Sequence, residues 1–426
     1  MRVAIAHFTA PPVAGGAETI IRQHALLLAN HGHDVTIVAG RGRPLALPSG
    51  GVVEDSNASN QGSIDLRRVP LLAATHPTQR RIAAALSTGV VPADFEAVSG
   101  AIRSQLGPVL RSQDVVLVHN AFTLHFNAPL TAALASLAGD SFEGRIVAWT
   151  HDVAAINPLY AAELHPGYPW SLFREPQPGV RYVTISKTRR DELLGLWMDG
   201  GCLGPEPVVV PNGIDPATTL GLSPTIARTA HDLAIFERDM VLLLPVRITR
   251  RKNIELAVEV IAHLVGRGHD AALLVTGPVR GHHPSRSRDY LSELKTLAAD
   301  LEVSDRVVFL ADLLGRALTD REIPELFALS TLLFMPSRSE GFGLPILESA
   351  LTRLPIVASD IPVFRELAGN DADYFDVNAS VADIAMLVEG AATDKPNRLR
   401  TRVLRDYAWD AVYGNHLGPL LNEIAQ

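Results

Sequence analysis

Two carboxylates, Glu340 and Glu348, bracket the turn Gly341-Phe342-Gly343-Leu344-Pro345. The apolar run Leu332-Leu333-Phe334-Met335 before it reads as a buried strand. Pro345 suits the first turn of a helix, where its missing N–H would have no partner. Gly341 and Gly343 strip side chains from the turn, so the N–H groups from Gly341 to Leu344 can approach a ligand closely. A helix N-terminus with such groups attracts an anion such as phosphate. Glu340 stands at the mouth, placed to meet a sugar. Glu348, just over one turn past Leu344, is placed to meet a ribose lying across the helix start. Taken alone, a Gly-x-Gly turn with solvated glutamates is ordinary geometry.

Four cations, Arg247, Arg250, Arg251 and Lys252, follow the apolar run Met240 to Val246. Such a cluster at a strand end suits a diphosphate, the plain alternative being a solvated charge run. Earlier in the chain, Val115 to Val118 ends in His119, and Ile146 to Trp149 ends in Thr150-His151-Asp152. In open parallel sheets ligands bind beyond the carboxyl ends of strands, so both histidines are expected there. Asp152 is placed to fix the tautomer of His151 or to bind an acceptor. Gly15-Gly16 lies between a first strand, Val3 to Phe8, and a helix carrying Ala17, Ile21, Ala25 and Leu28 on one face. A second strand, Val35 to Ala39, completes a β-α-β unit and implies a parallel sheet.

In chain order, these features resemble the family 4 retaining nucleotide-sugar glycosyltransferases (glycosyl transferases group 1, GT-B fold). Glu340 and Glu348 match that family's Glu-x7-Glu motif. Arg247 and Lys252 match its donor-diphosphate pair, with Val246 where a glycine is usual. Thr150-His151-Asp152 matches its strand-end histidine, and Gly15-Gly16 its N-terminal glycine loop. Val210-Pro211-Asn212-Gly213-Ile214-Asp215 and Tyr407-Ala408-Trp409 match its inter-domain segment and C-terminal aromatic helix. The resemblance implies an α/β GT-B fold, two Rossmann-like parallel-sheet domains facing a central cleft. The first is expected over residues 1–206, with a helix 405–426 crossing back to it, and the second over 207–404.

The bulk composition agrees. The 426 residues suit two domains, and 47% hydrophobic with 20% charged residues fits a globular protein. The net charge of −8 argues against broad nucleic-acid binding. Cys202 is the one cysteine, so no intrachain disulfide and no zinc cluster is expected. The N-terminus does not read as a signal peptide, and no stretch approaches the roughly 20 apolar residues of a membrane span. A cytoplasmic location is expected, with at most a peripheral membrane contact. Residues 42 to 62 and Arg280 to Arg288 read as loops, and the adjacent His282 and His283 do not read as a metal site. Asp371-Ala372-Asp373 reads as a turn. Arg67-Arg68 and Arg80-Arg81 read as solvated faces, with acceptor or anionic-lipid contact as the sharper alternative. Tyr160 to Phe173 reads as a packed irregular loop or an aromatic wall for an acceptor.

The expected activity is transfer of a hexose from a UDP- or GDP-sugar to a hydroxyl of a sugar, small-molecule or lipid-linked acceptor. Arg247, Lys252 and the N–H groups of Gly341, Phe342, Gly343 and Leu344 would hold the leaving diphosphate. Glu348 would hold the ribose, Glu340 the sugar hydroxyls, and His151 the sugar near its reacting face. No metal and no cofactor beyond the donor is expected. A nucleotide-sugar epimerase, a sugar phosphorylase and a non-catalytic nucleotide-sugar-binding protein are the competing classes. Donor, acceptor and oligomeric state are not legible.

Overall fold

The computed structural model describes residues 1–13, 15–45, 62–142, 145–277 and 284–425. The chain divides into two compact units, Met1–Gly213 with Trp409–Gln426, and Ile214–Ala408. Each is a parallel sheet covered by helices.

In the first unit, β1 (Arg2–Thr9), β2 (Asp34–Arg41), β3 (Ile64–Arg68), β4 (Val115–His119), β5 (Ile146–Thr150), β6 (Val180–Thr184) and β7 (Val208–Val209) form one sheet. Its order is β3-β2-β1-β4-β5-β6-β7, with every pairing parallel. Val3 pairs with Val35 on one side and Val115 on the other, so the strand order reverses between β1 and β4. The runs of β4 and β5 are buried at every residue, as a strand covered on both faces requires. The C-terminal segment completes this core. Trp409, Leu417, Leu420 and Leu421 pack with Trp149, Ile21 and Leu28. A Cβ on Gly213 would lie 2.4 Å from the Trp409 ring, so packing rather than a turn demands glycine there.

The second unit repeats the plan with β8 (Met240–Leu244), β9 (Ala271–Val275), β10 (Val307–Phe309), β11 (Leu332–Met335), β12 (Ile356–Ser359) and β13 (Asp373–Phe375). The order is β10-β9-β8-β11-β12-β13, again all parallel. Here the order reverses between β8 and β11. In such sheets the reversal opens a crevice at the strand carboxyl ends, so the loops after β8 and β11 are the natural ligand loops.

Several expectations need correction. The units divide later than 206/207, because β7 pairs with β6 and so belongs to the first sheet. Residues 405–408 stay with the second unit, where Tyr407 ends the helix Lys395–Tyr407. Asp373 opens β13 instead of lying in a turn, whereas Arg67 and Arg68 are exposed as expected, at the end of β3. Of the expected loop 42–62, residues 46–61 lie outside the described residues, as do His282 and His283; the helix Pro284–Asp300 begins inside the other expected loop. Tyr160 to Phe173 is a run of short 3-10 turns whose Trp170 and Phe173 are buried, which makes it packing more than a wall. Among the described residues, no helix is long and apolar enough to cross a membrane.

Candidate functional site

The loops after β8 and β11 are fastened to each other. Arg338 donates its backbone N–H to Arg251 O at 2.9 Å and its Nη2 to Asn253 Oδ1 at 2.9 Å. Arg251 Nη1 donates to Ser339 O at 3.1 Å. Asn253 sits at φ 54, a left-handed conformation asparagine tolerates, and turns the chain into the helix Ile254–Gly266.

Across this junction Lys252 pairs with Glu340. Only 10% of the lysine side chain and 7% of the glutamate side chain are exposed. Ser337 Oγ donates to the same carboxylate oxygen at 2.8 Å, and Arg251 lies 3.3 Å from the other. Burial pushes the Lys252 pKa below its ordinary value; Glu340 opposes this, and the neighbouring charges of Arg251 and Arg247 add to the lowering. Without the carboxylate, a buried ammonium would carry an uncompensated desolvation cost. The sequence reading gave Lys252 to a diphosphate and Glu340 to a sugar separately. The structure joins them, so any anion that takes Lys252 shares it with Glu340. Arg247 is exposed and makes no hydrogen bond or ion pair among the described residues.

Beyond the pair, the chain enters the helix Leu344–Thr352 through Gly343, whose φ is 100. A Cβ there would stand 3.0 Å from the Phe364 ring, so both backbone and packing require glycine. Gly341 is different, since its missing Cβ meets nothing within 4 Å. The N–H groups of Gly341, Phe342, Gly343 and Leu344 donate no hydrogen bond among the described residues. Four consecutive free donors at a helix N-terminus form an anion site. Among the described residues Glu348 has no ion-pair partner, and burial alone pushes its pKa up.

Among the described residues, the first unit gathers four histidines: His7 from β1, His119 from the end of β4, His151 just after β5, and His24 from the helix Gly16–Asn30. His7 Nδ1 lies 3.0 Å from the His119 carbonyl oxygen, so it donates there. His119 Nδ1 and His151 Nε2 are 2.9 Å apart and share one proton between them. His24 packs edge-on against Trp149 and Trp409, and neither of its ring nitrogens has a hydrogen-bond partner among the described residues. Burial lowers all four. Repulsion from neighbouring histidines reinforces it at His24, lowered to about 3, at His151, lowered to about 4, and at His119, well below its ordinary value; at His7 the His119 carbonyl and Glu18 oppose the lowering. At neutral pH His151 is therefore an uncharged imidazole. Its backbone is fixed too, because Asn120, at φ 59, accepts from the N–H of His151 at 2.9 Å. Asp152 makes no such contact with the His151 ring, whose hydrogen-bond partner is His119 instead.

Gly15-Gly16 precedes the helix Gly16–Asn30 as expected, but the space over Gly15 is filled. A Cβ there would lie 2.1 Å from Glu18 Oε2. Glu18 accepts from Thr9 Oγ1 and stands 3.9 Å from His7 Nε2. The open glycine is Gly16. Sequence reasoning missed His7, His24 and Glu18. His24 had a readable signal, a polar residue on the apolar face of Ile21, Ala25 and Leu28.

Residues 227–403 match the family described as Glycosyl transferases group 1. The chain is 29% identical over 154 residues to the lipopolysaccharide core biosynthesis mannosyltransferase LpsB of Rhizobium meliloti (strain 1021), covering 36% of this chain and 41% of that protein. It is 37% identical over 86 residues to the O-antigen chain mannosyltransferase RfbU of Salmonella typhimurium, covering 20% and 23%. Over 72 residues it is 47% identical to the serotype-specific mannosyltransferase WbdA of Escherichia coli, covering 17% and 9%. The chain thus spans less than half the length of these relatives. Among solved structures, WaaG, a glycosyltransferase involved in lipopolysaccharide biosynthesis, aligns over 99% of this chain and 98% of its own with 17% identity and a TM-score of 0.33.

Proposed function

We propose that this chain, whose second unit carries a glycosyl transferases group 1 domain, is a retaining hexosyltransferase. It would move a hexose from a nucleoside diphosphate sugar, with UDP or GDP as the carrier, to an acceptor hydroxyl. Mannose is the sugar that the relatives' names favour, and envelope polysaccharide or glycolipid synthesis the setting.

One observation supports this reading above the others. Four unpaired N–H groups at Gly341 to Leu344 stand beside the buried Lys252–Glu340 pair, with Arg247 unpaired near Lys252. In glycosyl transfer the bond from the anomeric carbon to the β-phosphate oxygen breaks, and the diphosphate leaves with that electron pair. Preorganised donors and cations stabilise this growing charge, and a single such donor is often worth roughly 3 kcal/mol. Lys252, Arg247 and the free N–H groups are assigned to the diphosphate. Glu348, unpaired, is assigned to the ribose, and Glu340, beside Lys252, to the sugar hydroxyls. In the first unit His151, neutral and held by His119, is assigned to the sugar. A new bond forms from the acceptor oxygen to the anomeric carbon, and the acceptor proton passes to the leaving phosphate. The family resemblance is what supports retention of the anomeric configuration.

The test is turnover of UDP- and GDP-hexoses by the native chain, Arg247→Ala and Glu348→Gln, with released nucleoside diphosphate as the readout. Loss in both variants, with the fold intact, supports the assignment. Full turnover in both removes it. An epimerase would instead form a new nucleotide sugar without acceptor, and a phosphorylase would require free phosphate.

A further inference from the structure

A second cationic site lies in the first unit, apart from the histidine cluster. Arg41 ends β2, Arg68 ends β3, and Pro12 and Val13 follow β1. With Gly40, Gly42 and Arg43 they wall one cavity of about 550 Å³. That volume is in the range of small-molecule pockets, and the position, at the carboxyl ends of parallel strands, is where such sheets bind ligands.

The walls are fixed in place. A Cβ on Gly40 would fall 2.1 Å from Ala73 N, and one on Gly42, at φ 143, would fall 2.5 Å from Ala10 Cβ. Arg43 N donates to Pro11 O at 3.0 Å and Ala10 N to Arg41 O at 2.7 Å, tying the two strand ends together. Against this frame stand three arginines and, among the described lining residues, no carboxylate. Arg41 Nη1 donates to Thr75 Oγ1 at 3.3 Å. The side chains of Arg43 and Arg68 have no hydrogen bond or ion pair among the described residues. Cations that line one cavity without a counter-charge among the described residues repel one another, and in a chain of net charge −8 they are a local exception. Forked guanidinium groups are matched to the oxygens of a phosphate.

We propose that Arg41, Arg43 and Arg68 bind a phosphate group carried by the acceptor, so that the acceptor is a phosphate ester, free or borne on a lipid. Binding of phosphate at this cavity stands on its own geometry; that the phosphate belongs to a sugar acceptor rests on the transferase reading above.

The experiment compares the full native chain with Arg43→Gln/Arg68→Gln. Both positions are exposed, so the fold should survive, and the thermal midpoint checks this. Binding of inorganic phosphate is measured by calorimetry with GDP or UDP present in excess. The variant is expected to lose roughly tenfold or more in phosphate affinity while its nucleoside diphosphate affinity stays unchanged. Equal phosphate affinity in the two proteins overturns the proposal. So does loss of nucleoside diphosphate binding in parallel, which would place the arginines elsewhere. If neither protein binds a nucleoside diphosphate, the transferase reading fails, and the phosphate comparison still judges the cavity. Flotation with phosphatidylglycerol vesicles, against phosphatidylcholine vesicles, separates the sources. Capture that depends on Arg43 and Arg68 indicates a lipid-borne ester, and phosphate binding without capture indicates a soluble one.

Discussion

Lys252 and Glu340 hold each other as an ion pair across the loops that follow β8 and β11, with Ser337 Oγ donating to the same carboxylate at 2.8 Å. The pair lies at the strand-order reversal of the second sheet. Removing one partner strands the other charge in a buried setting. Lys252→Met should cost about 3 kcal/mol, the low end for a broken buried pair, because Arg251 still stands 3.3 Å from Glu340. Lys252→Met/Glu340→Gln should recover most of that loss. Urea unfolding measures both, and equal stability of the native chain and the single variant would show that the pair contributes little.

Gly341 and Gly343 should respond differently to alanine. Gly343→Ala meets Phe364 at 3.0 Å and a φ of 100, so about 1–3 kcal/mol of stability should be lost. Gly341→Ala has open space and should leave the thermal midpoint nearly unchanged. It should still weaken nucleoside diphosphate binding, by roughly tenfold, because the methyl group crowds the free N–H groups. Unchanged binding in a stable Gly341→Ala would remove those groups from the diphosphate site.

The histidine cluster predicts a pH dependence. A histidine whose folded pKa lies below its unfolded value takes up a proton on unfolding, so stability rises with pH between the two values. For His151 that window runs from about 4 to 6.5, and the shift corresponds to roughly 3 kcal/mol lost on acidification through it. His24, lowered to about 3, acts in the same direction. His24→Leu breaks no hydrogen bond, since neither ring nitrogen has a partner. It should therefore keep stability at pH 7.5 and flatten the slope below pH 6.5. A slope identical to the native chain's would mean that His24 is not buried as neutral imidazole.

His119 is a positioning residue for His151. His119→Phe preserves the ring stacked on Trp149 but removes the 2.9 Å hydrogen bond to His151. Turnover should fall by about tenfold or more, with nucleoside diphosphate affinity unchanged. His119→Asn, which can still hydrogen-bond, should recover part of the rate. Equal rates in all three would leave the cluster a packing feature.

Much of the fold was legible because parallel strands buried on both faces read as continuous apolar runs. Leu332–Met335 and Met240–Leu244 were found that way. β3 was not, because it is an edge strand reading Ile-Asp-Leu-Arg-Arg, half polar and half exposed. β13, three residues long, carried too little pattern. In the site, spacing pointed to Lys252 and Glu340 but not to their union, since that depends on how two distant loops dock. His7 was hidden for the same reason: β1 and β4 become neighbours only once the sheet forms.

The most direct test is a crystal structure of the full chain soaked with GDP or UDP. The diphosphate oxygens should lie within hydrogen-bonding distance of the N–H groups between Gly341 and Leu344 and beside Arg247 and Lys252. A nucleoside diphosphate bound elsewhere, with those donors empty and the Lys252–Glu340 pair undisturbed, would contradict the account.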